Sequence, residues 1–187
     1  MPGPVYGVGM AVQPAFLPLV QAAKRGDDSA FELLLEPILG QAYRLACAML
    51  HDRQAAEDAV QEAAFKAWRK LSRLREGSDM RPWFLGIVAN ECRSVRRSRW
   101  WSVVRSEGPE ATTQSPDETA IANVELRQAL RAMDESKRLV LVLHWYLDLP
   151  LDEIAAITGI SVRGAESRLS RATQELKRRM EGHRGRP

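Results

Sequence analysis

Four residues between positions 86 and 97 have types and spacing that suit nucleic-acid binding. Gly86, Asn90, Arg93 and Arg97 follow one another at i, i+4, i+7 and i+11, so they share one face of a helix. The guanidinium groups can hold phosphates, the amide offers a paired donor and acceptor to a base edge, and the glycine lets a backbone approach. Trp83, one turn earlier, could stack on a base, although a core position fits it equally well.

A second basic surface follows a predicted helix-turn-helix. Residues 151–161 predict a short helix, a tight turn at Gly159 and, with Ser161 as the N-cap, the start of another helix. Apolar residues recur with helical spacing on one side of that second helix and predict its buried face. The other side suits a DNA major groove, with its N-terminal residues nearest the bases; it carries Arg163, Ser167, Ser170, Arg171, Gln174 and Arg178. An ordinary helical hairpin with a solvated face is the alternative.

An aromatic residue among acidic ones marks the polar side of a helix predicted over residues 53–74. We call Asp58, Gln61, Glu62 and Phe65 the acidic patch. An apolar centre within a polar rim is typical of a protein-binding surface. The alternative is that Phe65 packs beneath the loop at 72–80. The arc predicted to face the core consists of Ala56, Val60, Ala64, Ala67 and Leu71.

The remaining reactive residue types form no catalytic or metal-binding pattern. His51, His144 and His183 lie far apart, and the sequence contains no HExxH, GxSxG or phosphate-binding loop motif. Cys47 and Cys92 are 45 residues apart without CxxC spacing, which argues against a disulfide framework and a zinc site. An enzyme is therefore the least favoured class. We expect no cofactor, metal or small-molecule substrate, and a cytoplasmic location.

The distribution of charge along the chain says more about its partners than the net charge does. The 187 residues are 45% hydrophobic and 27% charged, enough for one medium or two small domains. No apolar run reaches the roughly 18 residues that cross a bilayer, so no membrane insertion is expected. The net charge is only +3, but residues 93–105 sum to +5, residues 107–125 to −5 and residues 163–187 to +5. Two basic blocks around an acidic connector favour a polyanionic partner.

Helix breakers divide the chain into two helical halves. Glycine, proline, serine and threonine between positions 108 and 116 predict a linker. Helical periodicity predicts helices at about 15–24, 29–50, 53–74, 82–99, 118–133, 136–146, 151–158 and 162–181. We therefore predict an all-α chain. Its predicted parts are a disordered extension over 1–14, a first domain over 15–100, an acidic linker over 101–120, a second domain over 121–181 and a tail over 182–187.

Three motifs in a fixed order carry a family resemblance. They are the run at 56–68, the run at 83–90 followed by Arg96 and Arg97, and the run at 151–161 followed by residues 166–172. This ordered set resembles the bacterial sigma-70 family of RNA polymerase sigma factors, in its extracytoplasmic-function (ECF) group. The resemblance implies two small helical domains, a sigma-2-like bundle and a sigma-4-like helix-turn-helix domain, joined by a flexible linker.

The resemblance also implies a function and its residues. Such a protein binds core RNA polymerase and directs promoter recognition, DNA melting and transcription initiation, without ATP. The first domain grips the β′ clamp helices, where Asp58, Gln61 and Glu62 match the family. It also reads the −10 element, where Asn90 and Arg97 match the contacting helix on a surface that includes Trp83, Gly86, Arg93 and Arg96.

The second domain, by the same resemblance, binds the β flap and reads the −35 element. Its recognition helix departs from the family at Gly164 and Glu166, where threonine and lysine are common. Glu166 joins the predicted DNA-reading residues; its carboxylate can accept from a cytosine amino group or, alternatively, repel a phosphate. An anti-sigma factor is the expected regulator. The alternative function is a stand-alone helix-turn-helix regulator that binds duplex DNA without directing polymerase.

Overall fold

The computed structural model describes residues 16–75, 77–105 and 124–184, and this part of the chain is helical with no β-strand. The all-α prediction is confirmed. The predicted extension at 1–14 and most of the predicted linker lie outside the described residues. In chain order the helices are α1 (Phe16–Lys24), α2 (Asp28–Leu50), α3 (Arg53–Lys70), α4 (Met80–Arg105), α5 (Val124–Arg131), α6 (Glu135–Leu141), α7 (Leu151–Thr158) and α8 (Val162–Arg184). A 3-10 turn (Leu71–Arg73) follows α3, and a π-helical segment (Val142–Tyr146) continues α6.

Aspartate side chains cap the start of three helices. Asp27 accepts a hydrogen bond from the Ala30 amide before α2, and Asp52 accepts one from the Ala55 amide before α3, each at 3.0 Å. Asp134 accepts from the Ser136 amide at 2.9 Å before α6. Each carboxylate satisfies a backbone donor that the first helical turn leaves unpaired. These caps explain why α2, α3 and α6 begin within a residue of their predicted starts.

Small residues let the helices of the N-terminal half (α1–α4) approach closely. On α3, Ala59 and Ala63 are buried together with Ala56 and Ala67, because α3 is wedged between α2 and α4. The predicted apolar arc was therefore rotated slightly from the true one, and Val60 and Ala64 are only half-buried at its edge. Beside this alanine seam the Phe31 and Trp68 rings pack at 5.0 Å between centroids.

Helix α2 is long and apolar enough to cross a membrane, judged by length and composition alone. The expectation from the sequence did not include this helix, because it considered only uninterrupted apolar runs. Half of its apolar window is buried inside the protein. Its buried side chains include Leu34, Leu45 and Met49, which pack in the common core. The core helix of a folded domain passes the same test, and that role accounts for the composition of α2.

The C-terminal half (α5–α8) packs around α8 and also contacts the N-terminal half. Helix α7 lies along α4, and α6 with its π-helical continuation reaches α2. Arg138 of α6 is 1% exposed and crosses this boundary. Its guanidinium donates to the Met49 carbonyl of α2 at 3.3 Å and to the carbonyls of Arg131 and Met133 at 3.1 Å each. The described helices of the two halves thus share one continuous core.

Candidate nucleic-acid and protein interfaces

The acidic patch lies on the solvent side of α3. Asp58, Gln61 and Glu62 are exposed, and the Phe65 ring is 55% exposed. Phe65 therefore does not pack beneath the following loop, and the Arg69 guanidinium instead lies 5.6 Å from its ring centroid. An exposed aromatic ring beside carboxylates can bury apolar surface and form ion pairs in the same contact.

Lys66 connects this patch to α4. Its ammonium lies 3.2 Å from the Glu62 carboxylate and 2.6 Å from that of Glu91, which is buried on α4. The hydrogen bond to Glu91 is the main reason that the pKa of Lys66 is raised. The like charges of Asp58 and Glu62 are thus partly compensated, as their spacing required, and Asp58 also accepts from the Gln54 amide at 3.1 Å.

The structure places the α4 stripe, Gly86, Asn90, Arg93 and Arg97, on one side of α4. Asn90 and Arg97 are exposed, and the Arg93 guanidinium donates to the Asn90 amide oxygen at 2.9 Å. Gly86 and Arg93 are only half-exposed. Trp83 is also half-buried and packs on the core, which supports the core alternative for most of its ring.

The C-terminal half accounts for the reduced exposure of the stripe. A Cβ atom added at Gly86 would lie 3.4 Å from the Ile157 carbonyl oxygen of α7. The Glu135 carboxylate of α6 lies 3.3 Å from Arg93 Nε and 3.8 Å from Arg96 Nη1. Two arginines predicted to contact DNA are therefore ion-paired within the chain.

The α8 face is fully available. All seven of its predicted DNA-contacting residues are exposed: Arg163, Glu166, Ser167, Ser170, Arg171, Gln174 and Arg178. The turn before it is built as predicted, because Gly159 has φ +69° and Ser161 Oγ accepts from the Gly164 amide at 3.1 Å. Ala165 and Ala172 are completely buried on the inner side of α8. This geometry presents a straight polar helix surface of the kind that enters a major groove.

His51 and Arg138 are structurally central residues that the sequence did not reveal. His51 ends α2 with φ +56°, and its Nε2 is buried without a hydrogen-bond partner among the described residues. Burial and the nearby Arg131, Arg138, Arg96 and Arg127 lower its pKa to about 3. No local pattern signals this, since the four arginines come from three other helices.

The free energy of unfolding is expected to decrease as the pH is lowered, because of His51. The folded chain keeps its imidazole neutral down to about pH 3, whereas the unfolded chain takes up a proton near the ordinary pKa of 6.5. The unfolded state thus binds more protons between these values, so stability present above pH 6.5 is lost as the pH falls. We expect a loss of about 1 kcal/mol from roughly pH 7.5 to 5.5 in urea unfolding.

His51→Asn is the variant that checks this prediction, because asparagine tolerates a positive φ. Its unfolding free energy should depend less on pH than that of the wild type. His144→Asn is the matched control and should keep the wild-type pH profile. A steep profile that survives in His51→Asn would contradict the assignment.

The buried and clustered reactive groups do not suggest a metal or thiol site. Within the described ranges, no group of three or more His, Cys, Asp and Glu side chains could hold a metal ion. Cys92 is completely buried, and burial raises the pKa of its thiol to about 12. It is a small core residue on the apolar side of α4.

The fold and its exposed surfaces are those of an all-α protein with a C-terminal helix-turn-helix and a separate acidic patch on α3. Two family models match it in order, Sigma-70 region 2 over residues 34–102 and Sigma-70 region 4 over residues 123–176. The first covers α3 and nearly all of α4, and the second covers the helix-turn-helix.

Curated relatives and a solved structure agree with these matches. The chain is 28% identical to the RNA polymerase sigma-H factor of Pseudomonas aeruginosa, over 84% of this chain and 90% of that protein. It is 32% identical to the ECF RNA polymerase sigma factor EcfG of Rhodopseudomonas palustris, over 65% of this chain and 68% of that protein. The sigma factor RpoE of Bartonella quintana, solved in complex with the anti-sigma factor NepR, matches with a TM-score of 0.67 and 26% identity, over 81% of this chain and 96% of that chain.

The chain therefore belongs to the ECF group of the sigma-70 family of RNA polymerase sigma factors. This family consists of transcription factors and not of enzymes. The stand-alone regulator is not supported, because it leaves the match to region 2 without a role.

Proposed function

We propose that this sigma factor binds core RNA polymerase through the acidic patch on α3 and reads promoter DNA through α4 and α8. The observation that carries the proposal is the ordered match of regions 2 and 4 to the helices that bear these surfaces. The acidic patch and the α8 face are exposed, as binding surfaces must be. The chain acts by positioning polymerase and has no catalytic role of its own.

Each of the two predicted domains has its own partners on polymerase and on the promoter. A first domain over 15–100 contacts the β′ clamp helices and the −10 element through the acidic patch and through Trp83, Arg96 and the α4 stripe. A second domain over 121–181 contacts the β flap and, through the α8 face, the −35 element. The predicted acidic linker over 101–120, whose first five residues continue α4 in the structure, joins them. Two modest DNA footprints held at a promoter-length separation give joint specificity that neither has alone.

Run-off transcription tests the proposal. Core polymerase is mixed with the purified chain and with promoter-length genomic fragments of the source bacterium. We expect discrete RNA start sites that depend on the chain. Chain-independent transcripts, or tight binding to duplex fragments without any new start site, would contradict a sigma function.

An anti-sigma factor is the proposed regulator, and the cytoplasm is the proposed compartment. The support is the Bartonella quintana sigma factor, whose structure was solved with such a partner. An inhibitor of this kind must cover at least one of the surfaces assigned above to polymerase or DNA.

Arg171→Ala is expected to weaken promoter binding by the holoenzyme and to reduce its dependence on salt. If the guanidinium neutralises one phosphate, the slope of log K against log salt falls by about one unit. Lys177→Ala is the matched control, since Lys177 is an exposed cation on the same helix outside the α8 face. Filter binding over a range of salt concentrations measures both. An unchanged slope for Arg171→Ala would argue against a phosphate contact.

A further inference from the structure

The surface of α4 proposed to read DNA is covered here by the C-terminal half of the same chain. The Gly86 backbone lies against Ile157 of α7. Near the start of α4, Arg81 forms an ion pair with Glu153 of α7. Nucleic acid and α7 therefore compete for one side of α4.

Glu135 extends this competition to the charged groups. Its two carboxylate oxygens face Arg93 Nε at 3.3 Å and Arg96 Nη1 at 3.8 Å. Two guanidiniums around one anionic group is also how arginines hold a DNA phosphate. The two contacts join α6 to α4 between residues 42 and 39 positions apart, so they form only when the two halves are packed together.

These ion pairs are suited to exchange. Arg96 Nη1 and Glu135 Oε1 are buried but have no hydrogen-bond partner within the described part of the chain. Charge attraction holds them without directional hydrogen bonds. Although these two atoms are buried, the Arg96 and Glu135 side chains as a whole are 35% and 25% exposed, and partly exposed ion pairs of this kind are weak. A phosphate, with its several acceptor oxygens, would satisfy donors that Glu135 leaves unpaired.

We infer that Glu135 is an internal substitute for a promoter phosphate, and that it holds the free sigma factor in a self-inhibited conformation. The inference rests on the proposed function, because it takes α4 as a DNA-binding surface. Release of Arg93 and Arg96 from Glu135 and of Gly86 from α7 is then one event, since both contacts belong to the same interface.

Glu135→Gln tests the inference in the free, full-length chain. The probe is a short fluorescein-labelled single-stranded DNA of mixed sequence, and the readouts are its affinity by fluorescence anisotropy and the radius of gyration of the chain by X-ray scattering. We expect the affinity to rise about fivefold to tenfold, the change that corresponds to losing two weak ion pairs. The radius of gyration should increase.

Glu175→Gln is the matched control. Glu175 is a carboxylate of the C-terminal half with two cationic partners, Lys137 and Arg179, that lie in the same half. Glu175→Gln removes the same charge as Glu135→Gln but lies away from the boundary between the halves. It should therefore change neither the DNA affinity nor the radius of gyration. An equal gain in affinity for both variants would overturn the inference, because it would show only a general charge effect.

A second variant keeps the test decisive if Glu135→Gln folds poorly. Arg93→Gln combined with Arg96→Gln removes the other side of the ion pairs and should also increase the radius of gyration. Adding Glu135→Gln to this pair should then give no further gain in DNA affinity. An unchanged radius of gyration in both the Glu135 and the arginine variants overturns the inference.

Failure of this inference and failure of the proposed function are distinguishable. The binding and scattering measurements use no polymerase, whereas run-off transcription does. A chain that directs transcription while Glu135→Gln behaves like the wild type keeps its function and loses the internal competitor. A chain that directs no transcription, but in which Glu135→Gln alone raises DNA affinity, keeps the competitor and loses the sigma assignment.

Discussion

Asp58→Ala combined with Glu62→Ala is expected to lower the affinity of the chain for core polymerase roughly tenfold to a hundredfold. Truncating one side of a charge pair at an interface leaves the partner's charge buried and unpaired, which typically costs about 2 kcal/mol or more. The fold should survive, because both side chains are exposed and make only local contacts with Gln54 and Lys66. Each of these contacts contributes a few tenths of a kcal/mol.

Helix α2 offers a matched control for this pair. Glu32 and Glu36 are also exposed carboxylates at i,i+4 spacing, and alanine at both removes the same charge away from the acidic patch. Binding is measured with immobilised core polymerase at fixed salt, and folding by circular dichroism. Wild-type affinity in the Asp58 and Glu62 double variant, or an equal loss in the control, would remove the polymerase-binding assignment.

Arg138→Met is expected to destabilise the chain by about 3 kcal/mol, since buried polar groups left without partners cost roughly 1–3 kcal/mol each. Methionine retains much of the side-chain volume, but the carbonyls of Met49, Arg131 and Met133 lose their donor. Removal of the buried charge offsets part of this loss of stability. Burial and the nearby Arg96 lower the pKa of Arg138 to about 10, so the charge itself is held at a cost.

Urea unfolding at neutral pH measures this effect. Lys137→Met is the control, because Lys137 is the neighbouring cation and pairs with Glu175 near the surface. We expect it to change stability by less than about 1 kcal/mol. Equal or greater stability in Arg138→Met would show that burying the charge costs more than its three hydrogen bonds contribute.

The helix-turn-helix shows how much could be predicted from local sequence. Its turn depends on a glycine with positive φ and on a serine cap three residues before the amide that it accepts from. Its exposed face follows from the apolar period of α8 alone. Every residue predicted on that face is exposed, because α5, α6 and α7 pack against the other side of α8 and leave its polar side to solvent.

On helix α4, helical periodicity did not predict what covers the polar side. Its periodicity accounts for the burial of Phe84, Val88 and Cys92. It also placed Gly86 and Arg93 on the opposite side, but it predicted neither α7 nor Glu135 there. A polar stripe is compatible with solvent, with DNA and with the polar surface of another helix, so the pattern could not choose among them.

By itself, therefore, the sequence determined the helices, their caps, their apolar faces and the ordered motifs that identify the family. Only the tertiary structure decided how the two halves meet, through contacts such as Arg138 with Met49, 89 positions away. Helical periodicity and capping depend on residues within four positions of each other. Contacts between distant segments depend instead on how whole helices approach in space, which requires every packed face to be satisfied at once.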